Sequence, residues 1–158
     1  MRTRSMMIGV LLLGLVLAGC GSGAPKADWE LSIAGSVSNP LSISYSDLVK
    51  MEQVDLKDIL MEKSTGDDVI TSWSGVPVAS LFEEAGAPAD WSTVTAVAAD
   101  GYAIDISRDE MQDAIIALKE GENWIATADP DHGPIRLVCP HSPANRWVFQ
   151  LKEIQINQ

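Results

Sequence analysis

Cys139 and His141 stand two positions apart in the stretch IRLVCPHSPANRWVF, residues 135–149, and a thiol that close to an imidazole could hold a soft metal or carry redox chemistry. Asp131 and His132, in DPDHGP just upstream, would extend the pair to a set of N, O and S donors. The strand-like IRLVC separates the two loops, and five extended residues hold their ends roughly 17 Å apart. His132 therefore meets His141 only if a loop folds back. The other reading is a thiol packed at a strand end with two solvated imidazoles beside it. GxSxG, HExxH, CxxC and glycine-rich phosphate-loop motifs do not occur in the chain. The carboxylate pairs Glu83-Glu84, Asp67-Asp68 and Asp109-Glu110 read as solvated helix faces, helix starts or loops. Trp29, Trp73, Trp91, Trp124 and Trp147 either line a ligand platform or fill the core of a small sheet.

The second cysteine has a different setting. Arg2 and Arg4 precede an uncharged apolar run from Met6 to Leu17, followed by LAGC ending at Cys20. Positive residues, a run too short to span a bilayer comfortably and small residues at a processing point make a secretory signal. LAGC resembles the lipobox of bacterial-type lipoproteins, whose cysteine takes a diacylglycerol and becomes the mature N-terminus. Two acyl chains anchor stably where one binds only reversibly. The expected organisation is a signal peptide over residues 1–19, a lipidated tether over 20–28 and a single domain over 29–158, at the extracytoplasmic face of the cell membrane. Removing residues 1–19 leaves 139 residues, enough for one core, and takes the net charge from −11 to −13 because two arginines are lost. So acidic a body disfavours phosphate polymers, and no nucleic-acid partner is expected. With Cys139 alone in the folded part, an intramolecular disulfide is not available there.

The elements that must position these residues are short. WELSIAG (29–35) alternates apolar and polar residues as a strand does, SISY comes next as a second strand, and a brief helix is expected around Ser46–Met51. Residues 53–63 read as a strand and 64–72 as a loop. Pro77 suits a first helical turn and Gly86 a stop, so a helix spans about Val78–Ala85. Residues 92–107 are two strands reversed at Asp100-Gly101. Ser107 with Glu110 forms a capping box, and Met111, Ile115 and Leu118 make an apolar stripe, which together predict a helix up to Gly121. NWIATA, IRLVC and RWVFQLKEIQI supply closing strands. Strands with interspersed helices and no regular βαβ alternation point to an α+β domain on an antiparallel or mixed sheet.

Three phrases in order carry a likeness over roughly residues 29–156. LSIAGSVSNPLSISYSDLVKM resembles the opening of sulfite-oxidase-type molybdopterin-binding domains, and WSGVPVASLFEEAG is similar to their Trp-x-Gly-Val-Pro helix entry. After DGY (100–102) comes GPIRLVCP (133–140), which is similar to their Gly-Pro-Leu-Arg-Leu-Val-x-Pro phrase. The resemblance implies a mixed-sheet fold that holds a molybdenum pterin and transfers oxygen atoms or electrons. It implies cofactor contacts at Trp73, Tyr102, Asn145 and Arg146, with Tyr102 approaching a substrate. In that family a cysteine binds the metal at the end of the strand before the Trp-x-Gly phrase. The matching stretch here, VDLKDILMEKSTGDDVITSW, contains none, and a thioether at Met61 does not replace a thiolate. A lysine of the family's Val-Lys-Trp-Leu phrase is also missing at Val148–Leu151, where Arg146 is the alternative cation. Cys139 matches a core strand position, not the metal ligand. Three readings stay open: a lipid-anchored domain without the metal thiolate that binds a pterin-like ligand or a redox partner, an active molybdopterin enzyme with atypical ligation, and a structural or partner-binding lipoprotein.

Overall fold

The structure is a computed structural model that describes residues 23–158. The expected signal peptide and the lipidation site at Cys20 lie outside the described residues. Two sheets share one core. In the first, β1 (Glu30–Gly35) pairs antiparallel with β2 (Leu41–Ser44) and parallel with β11 (Leu151–Asn157), which pairs antiparallel with β5 (Thr93–Ala98) and so reaches β6 (Ala103–Ser107). In the second, β3 (Val54–Met61) lies at one edge, followed by β4 (Val69–Pro77), β7 (Ile115–Glu120), β9 (Arg136–Val138) and β10 (Val148–Phe149), with β8 (Asn123–Trp124) beside β7. Helices α1 (Tyr45–Leu48) and α2 (Val78–Ala85) carry the chain between the sheets, and α3 (Ile125–Ala128) links β8 to β9 within the second. The domain is α+β, with one mixed and one antiparallel sheet, as the spacing of its strands implies.

Each sheet arises from its side chains. In the first, Leu31 and Ile33 of β1, Val94 and Ala96 of β5, and Ile154 and Ile156 of β11 are buried with polar residues between them, the alternation of a sheet packed on one face. Helix α2 carries the chain from the second sheet back to the first and buries Val78, Leu81, Phe82 and Ala85. Gly86 ends it at φ 66°, the left-handed conformation a helix stop favours in glycine. Pro77 is both the last residue of β4 and the cap, with φ −58° and ψ 129°, one step before the first turn.

The expected helix over Ser107–Gly121 is not formed. Ser107 and Glu110 do make the reciprocal capping bonds, Ser107 N donating to Glu110 Oε2 at 2.9 Å and Glu110 N to Ser107 Oγ at 3.4 Å. The turn they close lasts one cycle, with Met111 N donating to the Ser107 carbonyl at 3.1 Å. Asp113 then takes φ 55° and the chain leaves as β7. Ile115, Ile116, Ala117 and Leu118 are all buried, between β4 on one side and β9 on the other. A helix would turn at least one of these four to the opposite face and forfeit ~2 kcal/mol of burial for a large side chain. A cap is worth ~1 kcal/mol, so burial wins. An apolar run buried on both faces has no period of its own, which is why a stripe at helical spacing could be read into it.

Smaller differences have similar causes. Residues 64–72 are loop only as far as Val69, where β4 begins. NWIATA pairs with β7 for two residues and then coils into α3. The closing run from Arg146 is broken at Gln150, whose φ of 47° separates β10 from β11 and lets the chain change sheets.

Gly75 sits where the pairing of β4 with β7 shifts register. A Cβ there would fall on the carbonyl oxygen of Ile116 and lie 2.7 Å from Ala117 Cα, both backbone atoms of a buried strand. Gly75→Ala is expected to lower stability by about 3 kcal/mol or more, read as a fall in the urea midpoint.

Candidate functional site

Strand β9 and the loop after it build the site. Arg136 is buried, its guanidinium carbon 3.8 Å from the Phe149 ring centre and 4.8 Å from that of Trp73. Burial pushes its pKa down to about 10, against the attraction of Glu120 and Asp129. Its Nη2 donates to Asp129 at 3.5 Å, while Nε has no hydrogen-bond partner and lies between aromatic faces instead.

Cys139 follows this strand directly, with its side chain wholly buried. Its Sγ lies 3.8 Å from Met111 Sδ. Burial first, and the charge of Glu110 second, push the thiol up to about 12. The polar work at this residue falls to its carbonyl, which accepts from Trp147 Nε1 at 2.8 Å, Ser142 N at 3.1 Å and Ser142 Oγ at 3.2 Å. Trp147 then meets Trp73 edge to face, ring centres 5.8 Å apart. The loop so anchored reaches the residue just after β3 through Ala144 N, which donates to the Glu62 carbonyl at 2.9 Å.

Between β3, the start of α2, the turn before β7 and the residues Pro140–His141 lies a cleft of about 480 Å³. Val54, Leu56, Ile59, Met111, Ile115 and Pro140 give it apolar walls. Its polar lining is one pair, His141 Nε2 facing Asp113 Oδ2 at 3.0 Å. Such a volume and lining suit a small organic molecule.

The residues expected to gather around one cofactor are spread out. Trp73 is buried with its indole N–H on Thr71 Oγ1 at 2.8 Å, and borders a hollow beside β3 and Gly121. Tyr102 is half exposed and lines a different hollow of about 260 Å³ with His132, Phe149 and Gln150. Asn145 is exposed on the loop. Arg146 donates from Nε to Glu110 Oε1 at 2.8 Å. Asp131, His132, Cys139 and His141 are not brought together either. His132 pairs with Asp129 at 2.9 Å, His141 pairs with Asp113, and the Asp131 carbonyl accepts from Gln150 Nε2 at 2.5 Å. Among the described residues no group of three or more His, Cys, Asp or Glu side chains is placed to hold a metal ion.

Asp113 and Met111 carry no site signal in the sequence because they fall inside the expected helix. The Glu110–Arg146 pair joins residues 36 positions apart, and only the fold brings them together. A local signal existed for Glu110 in its spacing from Ser107.

The comparisons with known proteins agree on one fold. The model of the oxidoreductase molybdopterin binding domain matches residues 22–158. An uncharacterized oxidoreductase, YuiH of Bacillus subtilis (strain 168), is 25% identical over 114 residues, which are 72% of this chain and 57% of the relative. The crystal structure of the sulfane dehydrogenase SoxCD from Paracoccus pantotrophus superposes with a TM-score of 0.72 and 22% identity over 86% of this chain and 40% of that one. The chain thus spans little more than half the length of the first and less than half of the second.

Glu110 lies where the turn, the Cys139 strand and the loop meet. Its pKa is lowered from 4.5, first by the Ser107 backbone N–H, then by the Ser107 hydroxyl and Arg146, against the cost of burial. A lowered folded pKa gives stability that is present above the unfolded value and lost as pH falls through the folded one. Glu110→Gln is expected to cost about 1 kcal/mol at neutral pH. In urea titrations the gap to the wild type should close as pH falls below 4.5 and through the lowered value.

Proposed function

Because this chain belongs to the oxidoreductase molybdopterin binding domain family, we propose that it keeps the family's fold as a small-molecule-binding domain and has given up thiolate-held molybdenum. The observation that carries this reading is the setting of Cys139. The one cysteine among the described residues is sealed against Met111, with its thiol held far above the range where thiolate forms at neutral pH. Strand β3 and the hairpin after it, where the resemblance puts the family's ligand, offer Met61 and no cysteine.

The donor set points the same way. A molybdenum pterin asks for a soft anionic ligand and for cations at its phosphate. Around the cleft the carboxylate of Asp113 is hard and already on His141, and Arg146 is engaged by Glu110. The remaining walls are hydrocarbon. The residues of this cleft do not fit the group.

The domain is proposed to work at the extracytoplasmic face of the membrane, held by a lipid on Cys20 through the short tether up to Asp28. LAGC and the apolar run before it support this, and a membrane-bound ligand or redox partner would then be within reach.

Metal analysis of the full chain, produced in cells that supply molybdenum cofactor in excess, tests the reading. Molybdenum far below one atom per chain is expected, beside a thiolate-bearing family member prepared in parallel that carries its full complement. About one molybdenum per chain would overturn it.

A further inference from the structure

We propose that the apolar cleft binds a hydroxylated apolar ring compound, such as a phenol or a quinol, whose ring fills the hydrocarbon pocket and whose hydroxyl donates to His141. This rests on the reading of the cleft as a metal-free binding site and names the ligand class it takes.

The chemistry of the pair at the mouth selects the hydroxyl. An ionised Asp113 carboxylate can only accept, so the nitrogen facing it at 3.0 Å, His141 Nε2, carries the proton. In the neutral ring the other nitrogen is then an acceptor. Among the described residues His141 Nδ1 has no protein partner, so it is free to accept from a ligand. The carboxylate thus fixes the tautomer, and the tautomer asks for a donor.

Asp113 is held for this role at a cost. Its φ of 55° is left-handed, the chain taking this conformation in the one residue between the Ser107–Gln112 turn and the start of the buried run at Ala114. The walls select the rest of the ligand. Val54, Leu56 and Ile59 from β3 face Met111, Ile115 and Pro140 across about 480 Å³, room for a fused two-ring system. A pterin would set several ring donors and acceptors against methyl groups that cannot satisfy them. A hydrocarbon ring with one hydroxyl leaves nothing unpaired.

Two probes that differ in a single hydrogen-bond donor test this: 1-naphthol and 1-methoxynaphthalene. The full chain is placed in phospholipid nanodiscs with methyl-labelled methionine, and the Met111 methyl resonance, assigned from Met111→Leu, is followed during titration. Naphthol is expected to shift it and to bind about fivefold more tightly than the methoxy compound, the value of one hydrogen bond. In His141→Phe, at a half-exposed position that keeps the aromatic bulk, that preference should vanish and the two probes should bind alike. Partition into the lipid is common to both proteins and cancels from the comparison. Equal affinities in the wild type, a preference that survives in His141→Phe, or no Met111 shift with either probe would each overturn the proposal. Stoichiometric molybdenum in the metal analysis would instead overturn the functional reading beneath it, so the two failures are distinguishable.

Discussion

The carbonyl of Cys139 is the joint on which the second half of the molecule turns. Three donors converge on it, from the Trp147 indole and from both the amide and the hydroxyl of Ser142. To make them, the chain must reverse immediately after β9, and the reversal lays residues 140–146 against the edge strand β3. It also stands Trp147 on end against Trp73. A buried carbonyl without partners would cost about 1–3 kcal/mol, so the turn cannot relax without exposing or orphaning it. The thiol of the same residue is carried inward by this geometry, because a residue whose main chain is so engaged has its side chain set for it.

That joint gives the cleft its character. With the thiol against Met111, sulfur of both kinds is spent on packing, and the cleft wall receives the hydrocarbon of Met111 instead of an anion. Arg146, the cation nearest the loop, is drawn toward Glu110, whose own carboxylate is already organised by Ser107. Arg136 of β9 is buried with its guanidinium over the rings of Trp73 and Phe149. Among the described residues, the only charged side chains that line the cleft are thus the His141–Asp113 pair. On the proposed reading, the family fold offers in this chain a cleft suited to uncharged rings.

The fold was legible in the sequence where one face of a strand is wet and the other dry. Trp29 to Gly35, the reversal at Asp100-Gly101 and the helix between Pro77 and Gly86 all carry such local marks, and the structure has each of them. It was illegible at Ile115–Leu118, because a strand covered on both sides shows neither a period of two nor one of three to four. A helical reading of that strand hides Asp113, and with it the polar half of the cleft. The long-range pairs, His141 with Asp113 and Arg146 with Glu110, depend on β7 and β9 being neighbours, which no local pattern encodes.

The sealed thiol is the claim on which the reading depends, and alkylation of Cys139 measures it directly. The full chain with Cys20→Ser leaves Cys139 as its sole cysteine, and iodoacetamide at mildly alkaline pH reports its access with and without denaturant. Labelling in the native protein is expected to be slower than in the unfolded chain by at least about a hundredfold, since both burial and a thiol pKa raised to about 12 oppose the reaction. Native labelling at the unfolded rate would place the sulfur at the surface of the cleft, available to a metal, and contradict the account.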